Sequence, residues 1–208
     1  MLFRSGYAGP GDMYAYLATL AADGDHGKVF TYRTINTEVL GWIVSRIVER
    51  RAHEIYSTRV WQPLGMHDDA DMLVDPAGIA FTGGGLNPTL RDMARFGEAM
   101  RCDGRIGEAQ LLPAAPIRAI KAGATGADAT RSLHPSLPGL VYRSQWWFFT
   151  NGSPVFSARG IHGQAIYVDP AAELVIARFA SHPIAANIPN DPTTLAAFRA
   201  LAAHLLQK

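Results

Sequence analysis

Residues 30–42 read Phe30-Thr31-Tyr32-Arg33-Thr34-Ile35-Asn36-Thr37-Glu38-Val39-Leu40-Gly41-Trp42. The first half suits a turn, and an apolar helix begins near Asn36-Thr37. Val39, Leu40, Ile43, Ile47 and Val48 recur at three- and four-residue steps, which predicts a buried stripe. Upstream, Asp12 can cap a helix bearing Tyr16, Leu17, Leu20 and Ala21 on one face, closed by Gly24. Downstream, a helix from Ala52 to about Trp61 stops at Gln62-Pro63-Leu64-Gly65. Thr89-Leu90-Arg91-Asp92 reads as a capping box, opening a helix with Met93, Phe96 and Met100 inward. Pro113 starts a fifth helix through Ile117 and Ile120.

Beyond this helical region, 12–121, the stretch 122–138 is rich in Gly, Ala, Thr, Ser and Pro without a period, and reads as a loop. From Gly139 the texture turns to strands, expected over 139–182. Tyr142 to Thr150 is aromatic-rich, and Asn151-Gly152 is a hairpin signal before Val155-Phe156. Gly163–Val168 and Leu174–Ala180 form a second hairpin around Asp169-Pro170-Ala171-Ala172. A closing helix over 192–206 is apolar at Leu195, Phe198, Leu201 and Leu205. Helices first, then an antiparallel meander and one last helix, predict an α+β fold, taken as one domain over 1–208.

Composition narrows the function. At 208 residues, 48% hydrophobic and 18% charged, the chain has material for a core and is neither a disordered tail nor a coiled coil. Nineteen basic and eighteen acidic residues leave a formal charge of +1, so no global field recruits nucleic acid or an anionic membrane. Cys102 stands alone, which excludes a disulfide framework and a cysteine-built metal site. Met1-Leu2-Phe3-Arg4-Ser5-Gly6 lacks a secretory signal and no apolar run could span a bilayer, so a cytoplasmic location is the default expectation. Lys28, Lys121 and Lys208 are the lysines; every other basic residue is arginine.

Two segments could carry chemistry. Tyr32, at a helix entrance, could shuttle a proton if a cation lowers its pKa from about 10, with Arg33 adjacent in sequence. The structural alternative is that Tyr32 packs while Thr34 or Asn36 caps the helix. In Arg159-Gly160-Ile161-His162-Gly163-Gln164, placed at the start of a strand, glycines admit a ligand to the backbone and a strand N–H could face an oxyanion. His162 could donate a hydrogen bond or move a proton; the alternative is a bulge with a satisfied histidine. Thr82-Gly83-Gly84-Gly85-Leu86 lacks the Gly-Lys-Ser/Thr of a phosphate loop and reads as a tight turn beside a cleft. His67-Asp68-Asp69-Ala70-Asp71 reads as a solvated acidic loop rather than a metal site, and no cofactor is implied.

Taken in order, these blocks resemble the serine hydrolase superfamily of class C β-lactamases, DD-peptidases and related esterases, closest to its 6-aminohexanoate-dimer hydrolase branch. The resemblance rests on residues 30–42, on Trp61-x-Pro63-Leu64-Gly65-Met66, and on Gly84-Gly85-Leu86 with Thr89-Leu90-Arg91-Asp92-Met93-Ala94-Arg95-Phe96-Gly97. Tyr142-Arg143-Ser144-Gln145-Trp146-Trp147, Gly160-Ile161-His162-Gly163-Gln164 and Tyr167-Val168-Asp169-Pro170 complete it. It implies a β-lactamase/transpeptidase-like fold and hydrolysis of a small amide or ester through an acyl-enzyme. By position it makes Tyr32 the catalytic tyrosine and Thr34 the residue where β-lactamases carry asparagine. Ile161-His162-Gly163 then stands in the KTG place without its lysine, which argues against β-lactam recognition. Gln164 N–H becomes the oxyanion donor, with Gly83 on the cleft rim.

The superfamily's nucleophile lies in an S-x-x-K motif, and no serine of this chain has lysine three positions on. Before Lys28, Lys121 and Lys208 at that spacing stand Asp25, Arg118 and Leu205. In the family that motif lies further upstream of the tyrosine than 31 residues. The resemblance thus implies a C-terminal fragment, inactive alone, with the N-terminal part of the fold missing and a sheet edge open. Pairing with a separate N-terminal segment would rebuild the site. The alternative is a non-catalytic protein that kept the small-molecule cleft and shed the chemistry.

Overall fold

The computed structural model describes residues 11–25, 27–28, 30–123, 139–151 and 153–207. Its helices are α1 (Met13–Ala18), α2 (Thr34–Val48), α3 (Ala52–Tyr56), α4 (Leu90–Arg101), α5 (Ala114–Lys121) and α6 (Asp191–Leu205). The strands are β1 (Asp71–Met72), β2 (Leu86–Asn87), β3 (Arg105–Ile106), β4 (Ala109–Gln110), β5 (Leu140–Arg143), β6 (Trp146–Phe149), β7 (Phe156–Arg159), β8 (Ala165–Asp169) and β9 (Leu174–Arg178). The last five form one antiparallel sheet in sequence order, as expected of a meander. The fold is α+β. The loop expected over 122–138 lies almost wholly outside the described residues. No helix among the described residues is long and apolar enough to cross a membrane.

Alternation along the strands sorts side chains to two faces. Phe156, Ile166 and Val168 turn toward α4 and α5, where Met100, Ile117, Trp146 and Phe148 complete the main core. Tyr167 points to the opposite face, against Val155 and Phe198 of α6. Helices therefore cover both sides of the sheet. The inward set on α4 and α5 is the one expected: Met100 and Ile117 are buried, with Met93, Phe96 and Ile120 packed beside them. Thr89 caps α4 through its side chain, and Asp12 caps α1.

Gly97 sets how closely α4 approaches the sheet. A Cβ there would lie 2.6 Å from Val175 Cγ1 and 2.8 Å from Ile166 Cγ2. Gly97→Ala is expected to cost about 1–3 kcal/mol by overpacking, lowering a thermal melt by about 3–10 °C. A melt within 1 °C or so of the unaltered chain, on the same scale, would show that the layers are loosely packed.

Besides α1, which ends at Ala18 rather than at Gly24 and leaves Leu20 exposed, three elements depart from expectation. The stretch from Tyr142 to Thr150 is a hairpin rather than one strand, because Ser144 and Gln145 both take positive φ and turn the chain. The segment 160–164 is not a strand: β7 ends at Arg159, and Ile161–Gly163 form a 3₁₀ turn with His162 at φ 56°. The apolar stripe of α2 is the largest difference. Glu38 is the buried residue of that helix, whereas Leu40, Ile43, Val44, Ile47 and Val48 are exposed, Ile47 by 76%. The packed face is instead Glu38, Gly41, Trp42 and Ser45, the same i, i+3, i+4, i+7 spacing on the other side. Among the described residues nothing covers the apolar side.

Candidate active site

Glu38 builds one wall of the site. Its carboxylate is 2% exposed and accepts from Thr82 N (3.0 Å), Thr82 Oγ1 (2.9 Å) and Gly83 N (2.8 Å). The glycine turn is thereby bolted to the first turns of α2. Gly83 has no alternative at that contact, since a Cβ would meet Thr34 Cγ2 at 2.5 Å and Glu38 Oε1 at 2.7 Å. Thr34 and Gly83 thus sit face to face. The sequence does carry a signal for Glu38, a lone carboxylate inside an otherwise apolar helix.

Tyr32 stands just before α2. Its ring stacks on Trp147 of β6 (5.9 Å between centroids) and meets Tyr142 edge-on (5.3 Å). Tyr142 is itself fixed, donating its hydroxyl to Gln145 Oε1 (2.6 Å), which also accepts from Thr37 Oγ1 (3.2 Å). Burial, and then the nearby Tyr32, push the Tyr142 phenol well above its ordinary value. Burial alone pushes Tyr56 up to about 12. Both remain protonated at neutral pH. The Tyr32 hydroxyl makes no hydrogen bond among the described residues, and Arg33 does not serve it, being paired with Asp23. Neither Thr34 nor Asn36 caps α2.

A cleft of about 1090 Å³ brings the pieces together. Tyr32, Thr34, Gly83, Ile161 and Gln164 all line it, with Trp147, Tyr56 and Trp61 among the aromatic walls. Two expected members face elsewhere. His162 Nδ1 bonds the His182 carbonyl (2.7 Å), and Gly163 lines a small separate cavity of about 20 Å³. The backbone of this turn is accounted for almost completely. Gly160 N donates to Gln164 O, His162 N to Ala185 O, and Gly163 N to Asn187 Oδ1. Gln164 N–H, the expected oxyanion donor, is taken by Ile161 O at 3.2 Å, as follows from the 3₁₀ turn. Ile161 N–H has no acceptor among the described residues, and Ile161 is 65% exposed on the cleft rim. Asn187 had no sequence signal: it holds the turn from both sides, through Gly163 N and by donating to Gly160 O (2.7 Å).

Behind the opposite wall lies Asp92, fully buried. It accepts from His67 N (2.7 Å), Asp68 N (3.1 Å) and Thr89 Oγ1 (2.8 Å). Burial pushes its carboxyl upward, but these bonds and the His67 charge outweigh burial and hold it below the usual carboxylate range. Asp68 O in turn accepts from Trp61 Nε1 (3.0 Å), so Asp92 positions an aromatic wall through the 67–68 backbone. His67-Asp68-Asp69-Ala70-Asp71 is therefore partly a structural loop. No group of three His, Cys, Asp or Glu among the described residues could hold a metal ion.

The profile of the beta-lactamase family matches residues 1–198. The chain belongs to that family. The 6-aminohexanoate-dimer hydrolase of Paenarthrobacter ureafaciens is 35% identical over 175 residues, covering 84% of this chain and 44% of that protein. Among solved structures, a candidate 6-aminohexanoate-dimer hydrolase from Bacillus anthracis superposes with a TM-score of 0.85 at 31% identity, over 98% of this chain and 51% of that one. A β-lactamase from Mycobacterium bovis, 20% identical with a TM-score of 0.61, shares the fold over 86% of this chain and 66% of its own. This beta-lactamase-family chain thus spans about half the length of the 6-aminohexanoate-dimer hydrolases it matches.

Proposed function

We propose that this chain supplies the tyrosine-bearing half of a β-lactamase-related serine hydrolase, acting on a small amide or ester through an acyl-enzyme. The observation that supports this most is the convergence of Tyr32, Thr34, Gly83 and Ile161 on one cleft. In acyl transfer a serine Oγ adds to the carbonyl carbon and its proton passes to a base. The carbonyl oxygen becomes an oxyanion, which a backbone N–H can meet; Ile161 N–H is the free donor here and replaces Gln164 in that role. Expulsion of the amine or alcohol takes up a proton, and water then releases the acyl group and restores the serine. Tyr32 is the proton carrier facing that cleft.

No serine of these 208 residues has lysine three positions on, so in this mechanism the nucleophile belongs to polypeptide outside them. The uncovered apolar side of α2 is a surface on which such a segment would pack. The purified chain is accordingly expected to release no p-nitrophenol from p-nitrophenyl butyrate above the buffer rate. Turnover by this chain that disappears with Tyr32→Phe would overturn the assignment of the nucleophile elsewhere. Reading the DNA upstream of Met1 separates the remaining possibilities: an open frame encoding S-x-x-K supports the hydrolase. A promoter and ribosome site directly before Met1 would favour a binding protein that retains the cleft alone.

A further inference from the structure

The turn between β7 and β8 carries two consecutive left-handed residues, His162 at φ 56° and Gly163 at φ 91°. A residue with a side chain takes that conformation uncommonly, so the turn has to be held from outside. The hold comes from the run that follows β9, chiefly from His182. Its backbone N–H donates to His162 O (3.1 Å), and its carbonyl accepts from His162 Nδ1 (2.7 Å). Its ring lies on Gly163, where a Cβ would come within 2.4 Å of His182 Cδ2. Arg178 closes the circuit, donating from Nη2 to His182 Nε2 (2.8 Å) and from Nη1 to Gly163 O (3.2 Å). An arginine only donates, so His182 Nε2 accepts and the ring is the neutral form with its proton on Nδ1. His162, facing a carbonyl, likewise carries a proton on Nδ1. Across the small cavity that Arg178 lines, Arg159 and Asp191 are paired with each other.

We propose that neutral His182 is a positioning residue for the Ile161 N–H, with Arg178 as its partner. The inference rests on the hydrolase reading above, in which that N–H meets the oxyanion. The N–H groups of Gly160, His162, Gly163 and Gln164 are all engaged, and the left-handed pair is what leaves Ile161 N–H without an acceptor among the described residues. Such a donor serves an oxyanion only if it is fixed before the charge develops. His182 does not line the cleft, so it acts through the turn's backbone. Without its Nε2 acceptor, Arg178 Nη2 loses its partner and the clamp on Gly163 O loosens with it. Protonating the ring would have the same result, setting a second cation 2.8 Å from the guanidinium.

The test is made on the 208-residue chain by nuclear magnetic resonance at neutral pH. Ring-nitrogen spectra are expected to show His182 with a proton on Nδ1 and none on Nε2. His182→Leu removes the acceptor. It should speed exchange of the Gly163 amide, held by Asn187 Oδ1, by about tenfold or more, and move the Ile161 amide resonance. The amides of β8 and β9 away from the turn should keep their protection. His182→Gln, whose Oε1 can accept from Arg178, should restore most of what leucine loses. The inference is overturned by a protonated Nε2 in the unaltered chain, by a leucine variant with unchanged 160–164 amides, or by glutamine doing no better than leucine. Loss of protection throughout the sheet in both variants also overturns it, since His182 would then hold the fold rather than the turn. None of these outcomes touches the hydrolase reading. That reading fails separately, if no S-x-x-K frame lies upstream, and its failure would leave the turn's behaviour as it is.

Discussion

Asp92→Ala is expected to destabilise the chain by about 3–5 kcal/mol, enough to unfold much of it at room temperature. The carboxylate is fully buried and engages two backbone N–H groups more than twenty residues away, besides Thr89. Alanine strands both N–H groups of 67 and 68 in a site that water does not reach, and a stranded buried donor costs about 1–3 kcal/mol. Asp92→Asn keeps one acceptor oxygen but turns an NH₂ toward donors, so it should fall between the two. The same residue sets an acid dependence. Its folded pKa is depressed, so its contribution is present above the unfolded carboxylate value near 4 and is lost as pH falls through the folded value. Glu98, held down chiefly by the Arg101 hydrogen bond, and Asp103, held down chiefly by Lys121, act in the same direction. Urea melts should therefore show stability level above about pH 5 and falling below about pH 4. Asp92→Ala should remove part of that slope. An unchanged acid slope in the variant would mean that the clamp is not formed by the charged carboxylate.

What the sequence makes legible is whatever is local in the chain. The Thr89 cap, the inward face of α4, the β8–β9 hairpin and the closing helix all depend on neighbours within a few residues, and each stands where expected. Long-range partnerships were not legible. Asp92 looked like a capping residue, and nothing in residues 89–92 announces that it also fixes 67 and 68. The stripe on α2 obeyed helical periodicity, yet the helix packs by Glu38, Gly41, Trp42 and Ser45, because a buried carboxylate that satisfies three donors can decide a face against apolar spacing. Ser144-Gln145 lacks the Asn-Gly signature, so its hairpin stayed hidden inside an aromatic run. At 160–164 the cleft is lined by Gly160, Ile161 and Gln164 but not by His162 or Gly163, because what faces it depends on turn geometry. The 3₁₀ turn engages Gln164 N–H and leaves Ile161 N–H without an acceptor among the described residues, which no residue identity dictates.

In an enzyme completed by an S-x-x-K segment, Tyr32→Phe is expected to lower kcat/KM for a p-nitrophenyl ester or anilide by about 10²–10⁴. KM and thermal stability should change little, because the ring keeps its stack on Trp147 and the hydroxyl gives up no hydrogen bond among the described residues. The neighbouring tyrosines provide the internal control. Tyr142 donates to Gln145 and is held protonated by burial, so Tyr142→Phe should cost about 1 kcal/mol of stability while leaving the rate within a few-fold. Tyr56, pushed up to about 12, is equally unsuited to take a proton near neutrality. If Tyr32→Phe and Tyr142→Phe lowered the rate alike, the effect would lie in the aromatic stack rather than in a proton carried by one hydroxyl. A large loss confined to Tyr32→Phe requires the opposite: the proton is carried by the Tyr32 hydroxyl itself.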